Sequence, residues 1–113
     1  MNNENKPSAL LTTIGLAARA GKLIFGTEQI CSALKRGKKI FLIIEASDTS
    51  DNTHKRLSDR AAYYGIRKER INEDSASLGS ALGKSPLAAV GIADEGFCIA
   101  VDKKLKQSQI SAD

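Results

Sequence analysis

Two stretches of this chain are apolar or glycine throughout: Ile-Phe-Leu-Ile-Ile at 40–44, and Leu-Ala-Ala-Val-Gly-Ile-Ala at 87–93. A strand with one wet face alternates apolar and polar residues. An unbroken apolar run of β-favouring residues instead predicts a strand covered on both faces. Two such strands at the centre of a sheet require helices above and below it, and the rest of the chain supplies candidates for them.

Pro7-Ser8 reads as a helix start with Ser8 as cap, followed by Leu11, Ile14, Ala17 and Ala18 at helical spacing and closed by Gly21. Residues 22–25 read as a short strand. Gly26-Thr27 opens a second helix with Ile30, Ala33 and Leu34 on one face, ended by Gly37. The polar segment 46–51 offers N-caps for a third helix, which carries Leu57, Ala61 and Tyr64 on one side and stops at Gly65. A strand is predicted within 66–72. Asp74 or Ser75 then caps a short helix through Leu78 and Leu82, ended by Gly83. In the last segment Phe97, Val101 and Leu105 recur every four residues, which predicts a helix capped by Asp94. The order αβαβαβαβα predicts an α/β fold, a three-layer α/β/α sandwich. With 113 residues the chain makes one domain. Its expected limits are 8–105, between a flexible N-terminal tail at 1–7 and a C-terminal tail at 106–113.

Composition narrows the function. No run approaches the roughly 18 to 20 apolar residues of a membrane span, and MNNENKPSAL holds no apolar signal-peptide core. Cys31 and Cys98 stand far apart among apolar neighbours, and with a single His they suit neither a disulfide framework nor a zinc site. The expectations are a cytoplasmic protein with no metal and no cofactor. Aromatics are 4% with no Trp, which counts against the stacking platforms of single-strand readers.

Chemistry-bearing motifs are few. Gly79-Ser80-Ala81-Leu82-Gly83-Lys84-Ser85 imitates a P-loop but has three residues between the glycines where four are required. Its glycines also end a helix instead of opening one. His54 lies among Thr53, Lys55 and Arg56 and reads as a solvated side chain. Asp48, Asp51, Asp94 and Glu95 read as helix caps, and both cysteines as small core residues. Nothing assembles an active site, so the chain is expected not to be an enzyme.

Charge remains. Lys and Arg number 17 against 13 Asp and Glu, a net +4. The basic residues cluster at Arg19 and Lys22; at Lys35, Arg36, Lys38 and Lys39; at Lys55, Arg56 and Arg60; at Arg67, Lys68 and Arg70; and at Lys103, Lys104 and Lys106. Such clusters serve equally for solubility or for phosphate.

The order of residues from Ile14 onward is more specific. IGLAARAGKLIFGTEQICSALKRGKK resembles the opening of the L7Ae/L30e ribosomal-protein family, most closely its small bacterial members. IFLII, DNTHKRLSDRAAYYGI and LGSALGKSPLAAVGIADEGF follow in register, so the resemblance spans about residues 9 to 105. It implies an L30e-like sandwich with a four-stranded mixed sheet. It also implies a ribonucleoprotein role in translation: recognition of kink-turns, sharply bent RNAs containing sheared G·A pairs. The contacts implied are Gly26, Thr27, Glu28, Gln29, Ser32 and Arg36 at the second helix, and Ser85, Pro86, Leu87, Ala88 and Ala89 in the loop before the last strand. Lys22, Lys35 and Arg36 would meet phosphates, and Gln29 a base edge. Kink-turn binders usually carry Asn or Lys where this chain has Glu28, and Lys where it has Ser32. The expected partners are structured RNA, ribosomal or otherwise kink-turn-like, and the ribosome, with no membrane and a monomeric state. The alternative is a protein-interaction module of the same fold that has lost kink-turn specificity.

Overall fold

A computed structural model describes residues 8–111. The expected tail at 1–7 lies outside the described residues. Nine elements follow one another: α1 (Ala9–Arg19), β1 (Leu23–Phe25), α2 (Thr27–Lys35), β2 (Leu42–Glu45), α3 (Asp51–Tyr64), β3 (Arg67–Arg70), α4 (Ser75–Ala81), β4 (Ala89–Ile92) and α5 (Glu95–Ser111). This is the predicted alternation. α5 runs on through Ser111, past residue 105 where the sequence reading closes the domain.

Short-range hydrogen bonds set the helix starts. Ser8 Oγ accepts from the Leu11 amide at 3.1 Å, and Ser50 Oγ from the Thr53 amide at 3.1 Å. Asp74 and Asp94 carboxylates accept from the Ser77 and Phe97 amides at 2.8 and 2.9 Å. Each satisfies an amide that the first turn leaves without a partner. Asp48 differs from its expected role. It reaches across to α4, accepting from the Ser75 amide at 2.9 Å and the Ser75 hydroxyl at 3.1 Å. α3 ends at Gly65 in the left-handed region, φ +67°, where a side chain would be strained.

The sheet has strand order β1-β4-β2-β3. β4 runs antiparallel to both β1 and β2, while β2 and β3 are parallel. The two apolar runs are thus the two central strands, buried throughout. β2 begins two residues later than predicted and runs through Glu45, where its ladder with Arg70 ends. Strand alternation divides the core. Leu42, Ile44, Val90 and Ile92 face α1, α4 and α5, with Ile14, Leu78 and Val101. Ile43 and Ala89 face α2 and α3, with Ile30, Leu34, Leu57 and Ala61. Tyr64 is not part of this core; it is 39% exposed, because it lies at the C-terminal end of α3 beyond the sheet-facing stripe.

Candidate nucleic-acid interface

Antiparallel pairing places Phe25 opposite Val90, so the residue after β1 meets the residue that opens β4. The Gly26 amide donates to the Ala89 carbonyl at 2.9 Å. The Ala46 amide donates to the Ala88 carbonyl at 2.8 Å. One end of the sheet therefore gathers the start of α2, the loop at 82–88 and the end of β2. The two elements implied by the family resemblance, distant in sequence, are neighbours here.

Gly26 precedes α2 at φ +90° with open space where a Cβ would stand, so the demand for glycine is conformational and not steric. As N-cap it offers no side-chain oxygen, which leaves the first amides of α2 without a side-chain acceptor. Thr27 Oγ1 is also unpartnered. It is the single buried side-chain polar atom without a hydrogen bond among the described residues. Glu28 does not stand alone at this helix start. Arg56 of α3 donates to both its oxygens at 2.5 and 3.0 Å, and that guanidinium, by hydrogen bond and charge, holds the Glu28 carboxyl below its ordinary value. Ser32 Oγ accepts from Arg36 Nη1 at 2.6 Å.

Not every expected contact residue gathers here. Ala89 is fully buried in the sheet, so its side chain cannot meet a ligand at this surface. Leu87 is half-buried against the α1/α4/α5 core, while Ser85 and Pro86 are exposed. Lys22 lies at the other end of β1, where its carbonyl accepts from the Ala93 amide at 2.9 Å. Arg36 and Lys38 border a shallow site beside Leu23, the next residue in the chain after Lys22. Lys35 and Arg36 close α2, about 13 Å from its start at 1.5 Å per residue.

The structure adds residues that the sequence reading left out. Lys84 Nζ sits 4.6 Å from the centre of the Phe25 ring, bringing a cation to the loop beside Gly26. Gly79 lets that loop approach α4. A Cβ there would stand 2.2 Å from the Ser85 carbonyl oxygen and 2.9 Å from Pro86 Cα. The Gly79–Ser85 segment is thus no phosphate loop, and its first glycine is a seat for backbone. A Gly within a helix pattern beside a later Pro was the available signal.

β2 ends in Glu45, the one fully buried charged residue among those described. Lys68 donates to it at 2.5 Å, His54 Nδ1 lies 2.8 Å away, Thr49 Oγ1 donates to it, and Arg70 Nε stands at 3.7 Å. Burial pushes the carboxyl upward, but the bonds from Lys68, Thr49 and His54 outweigh it and hold the group below its ordinary value. His54 is therefore not the freely solvated side chain expected; the α3 helix turns it onto Glu45. The basic cluster of β3 is likewise spent internally. Lys68 and Arg70 serve Glu45, and Arg67 pairs with Asp102 of α5 at 2.6 Å and Glu69 at 3.1 Å.

No set of three His, Cys, Asp or Glu among the described residues could hold a metal, and no described helix is long and apolar enough to cross a membrane. Solved structures similar to this one include a Bacillus halodurans protein of unknown function, with TM-score 0.79, 32% identity, and coverage of 88% of this chain and 98% of that one. A Giardia lamblia 15.5kD RNA binding protein matches with TM-score 0.68 at 20% identity over 97% and 98% of the two chains, a likeness of fold. In sequence the chain is 37% identical to the RNA-binding protein YlxQ of Enterococcus faecium over 107 residues, 95% of this chain and 96% of that one. It is 32% identical to the RNA-binding protein YlxQ of Bacillus subtilis (strain 168) over 84 residues, 74% and 82% of the two chains. Both sequence relatives are named as RNA-binding proteins. The model of the ribosomal protein L7Ae/L30e/S12e/Gadd45 family matches residues 8–101, most of the chain. With that match and the two relatives, the chain belongs to the ribosomal protein L7Ae/L30e/S12e/Gadd45 family.

Proposed function

We propose that this protein is a non-enzymatic RNA-binding protein of the cytoplasm, monomeric and ribosome-associated, that recognises bent, kink-turn-like RNA. One observation carries the reading: the uncapped start of α2 and the Lys84–Pro86 turn share one end of the sheet, joined by the Gly26–Ala89 hydrogen bond. Free helix amides suit a phosphate, and Gln29 is exposed one turn further on to meet a base edge. Ser85, Pro86 and the half-buried Leu87 and Ala88 form a weakly polar shoulder beside them. Two relatives named as RNA-binding proteins support the same partner class.

The test is affinity for a kink-turn RNA against the same duplex with its G·A pairs replaced, measured across a salt series. Discrimination between the two supports the reading. Equal, steeply salt-dependent affinities would leave only phosphate attraction. Capture of partners with and without nuclease separates the alternative, since a protein partner survives loss of RNA.

A further inference from the structure

The groove between α2 and α3, about 480 Å³ in volume, adds a face of α3 to residues of α2. α2 lends it Glu28 and Lys35; α3 lends Arg56, Arg60, Tyr63 and Tyr64. The α3 residues recur at i, i+4, i+7 and i+8, a single helical face. Three cations thus meet one carboxylate. Arg56 is occupied by Glu28, whereas no carboxylate among the described residues pairs with Lys35 or Arg60. Two uncompensated cations on one rim favour a run of phosphates.

The rings make the groove distinctive. Tyr63 is 81% exposed, and its ring centre lies 4.9 Å from that of Tyr64 in an edge-to-face pair. The three Phe are half-buried, so the chain places both of its tyrosines, and no other ring, at this rim. An aromatic left in water gives up the stabilisation of burial, and a flat face beside free cations suits a nucleobase with its phosphates. A protein poor in aromatics still has a stacking surface if the few it has are outside the core.

We infer that the α2–α3 groove binds an unpaired segment of RNA, one base stacked on Tyr63 and flanking phosphates on Arg60 and Lys35. The groove is continuous with the proposed kink-turn site through Glu28 in the first turn of α2, so a strand leaving a bent duplex there runs into it. The inference takes its partner class from the proposed function but does not depend on kink-turn recognition.

The chain has two Tyr and no Trp, so its intrinsic emission reports on this groove. The experiment titrates the protein with single-stranded oligoadenylate of about eight nucleotides, following tyrosine emission and the anisotropy of a dye on the RNA. Quenching along the same isotherm as anisotropy is expected. Tyr63→Ala should weaken binding by about fivefold or more. Tyr63→Phe keeps a stacking face and should bind as wild type does while losing part of the quench. Arg60→Gln should lower the salt slope by about 0.7. The exposure of Tyr63 makes its variants foldable, which thermal unfolding verifies. Oligomer binding without quenching, an unchanged Tyr63→Ala, or no oligomer binding overturns the inference. The paired kink-turn duplexes run alongside. Discrimination there without oligomer binding defeats the groove alone, and oligomer quenching without discrimination defeats the kink-turn reading alone.

Discussion

Glu45→Gln removes one charge from the most buried polar cluster of the fold while keeping the shape of the side chain. Glu45 is fully buried, and Lys68, its partner at 2.5 Å, has a side chain only 12% exposed. Losing one member of a sealed ion pair costs about 3–5 kcal/mol, because the other charge stays desolvated. Here His54 and Arg70 keep side-chain exposures of 43% and 42% and can turn toward water. The glutamine oxygen also still accepts from Thr49. The expected loss is therefore about 2–3 kcal/mol, a large share of the roughly 5–15 kcal/mol that holds a domain of this size. In urea, with m of about 1–3 kcal/mol/M, the midpoint should fall by the order of 1 M at unchanged m.

The pH dependence follows from the direction of the shift. The folded carboxyl lies below its ordinary value of 4.5. Its contribution is complete above that value and disappears as pH falls through the lower, folded one. The gap between wild type and Glu45→Gln should thus stay level from about pH 7 to about pH 5 and close in stronger acid. A gap under about 0.5 kcal/mol at neutral pH, or one that widens in acid, would refute the account of Glu45 as a buried, ionised brace.

Gly79→Ala would ordinarily gain about 1 kcal/mol of helix propensity in the body of α4. With backbone 2.2 Å from the added Cβ, it should instead lower the melting temperature, by about 1–3 kcal/mol of stability, and weaken kink-turn RNA binding as the Ser85–Pro86 turn is displaced. A raised melting temperature in calorimetry would contradict the close approach. Ser32→Lys adds a cation one turn from Glu28 on the α2 face of the groove. RNA affinity should rise and the salt slope steepen by about one unit; unchanged or weaker binding would show that this face does not meet phosphate.

The candidate site was legible in sequence where it depends on a short motif. Gly26, Gln29 and Pro86 stand in patterns of a few residues, and each lies at the surface near one sheet end. Lys22 lies across β1 from Gly26, and Ala89 turns its side chain into the core between the sheet and α2 and α3. Motif proximity does not say on which side of a strand a side chain points. In sequence Arg56 is one charge of a basic helix, since its bond to Glu28 spans 28 positions. Tyr64 reads from sequence as part of the Leu57–Ala61 side of α3 and Tyr63 stands in no motif, so neither marks a groove. What was missing was the helix that faces them.

By itself the sequence determined the element order, the helix starts at Ser8 and Asp94, the start of α3 to within 46–51 and of α4 to Asp74 or Ser75, and the two strands that had to be central. Those features rest on backbone preference, on hydrogen bonds reaching three residues and on apolar runs, all of which are local. Only the tertiary structure decided that β4 would lie between β1 and β2, that Glu45 would be buried against Lys68 and His54, and that α2 and α3 would frame a basic groove rimmed by tyrosines. Those depend on contacts between residues far apart along the chain, where the same carboxylate or ring could equally have faced water.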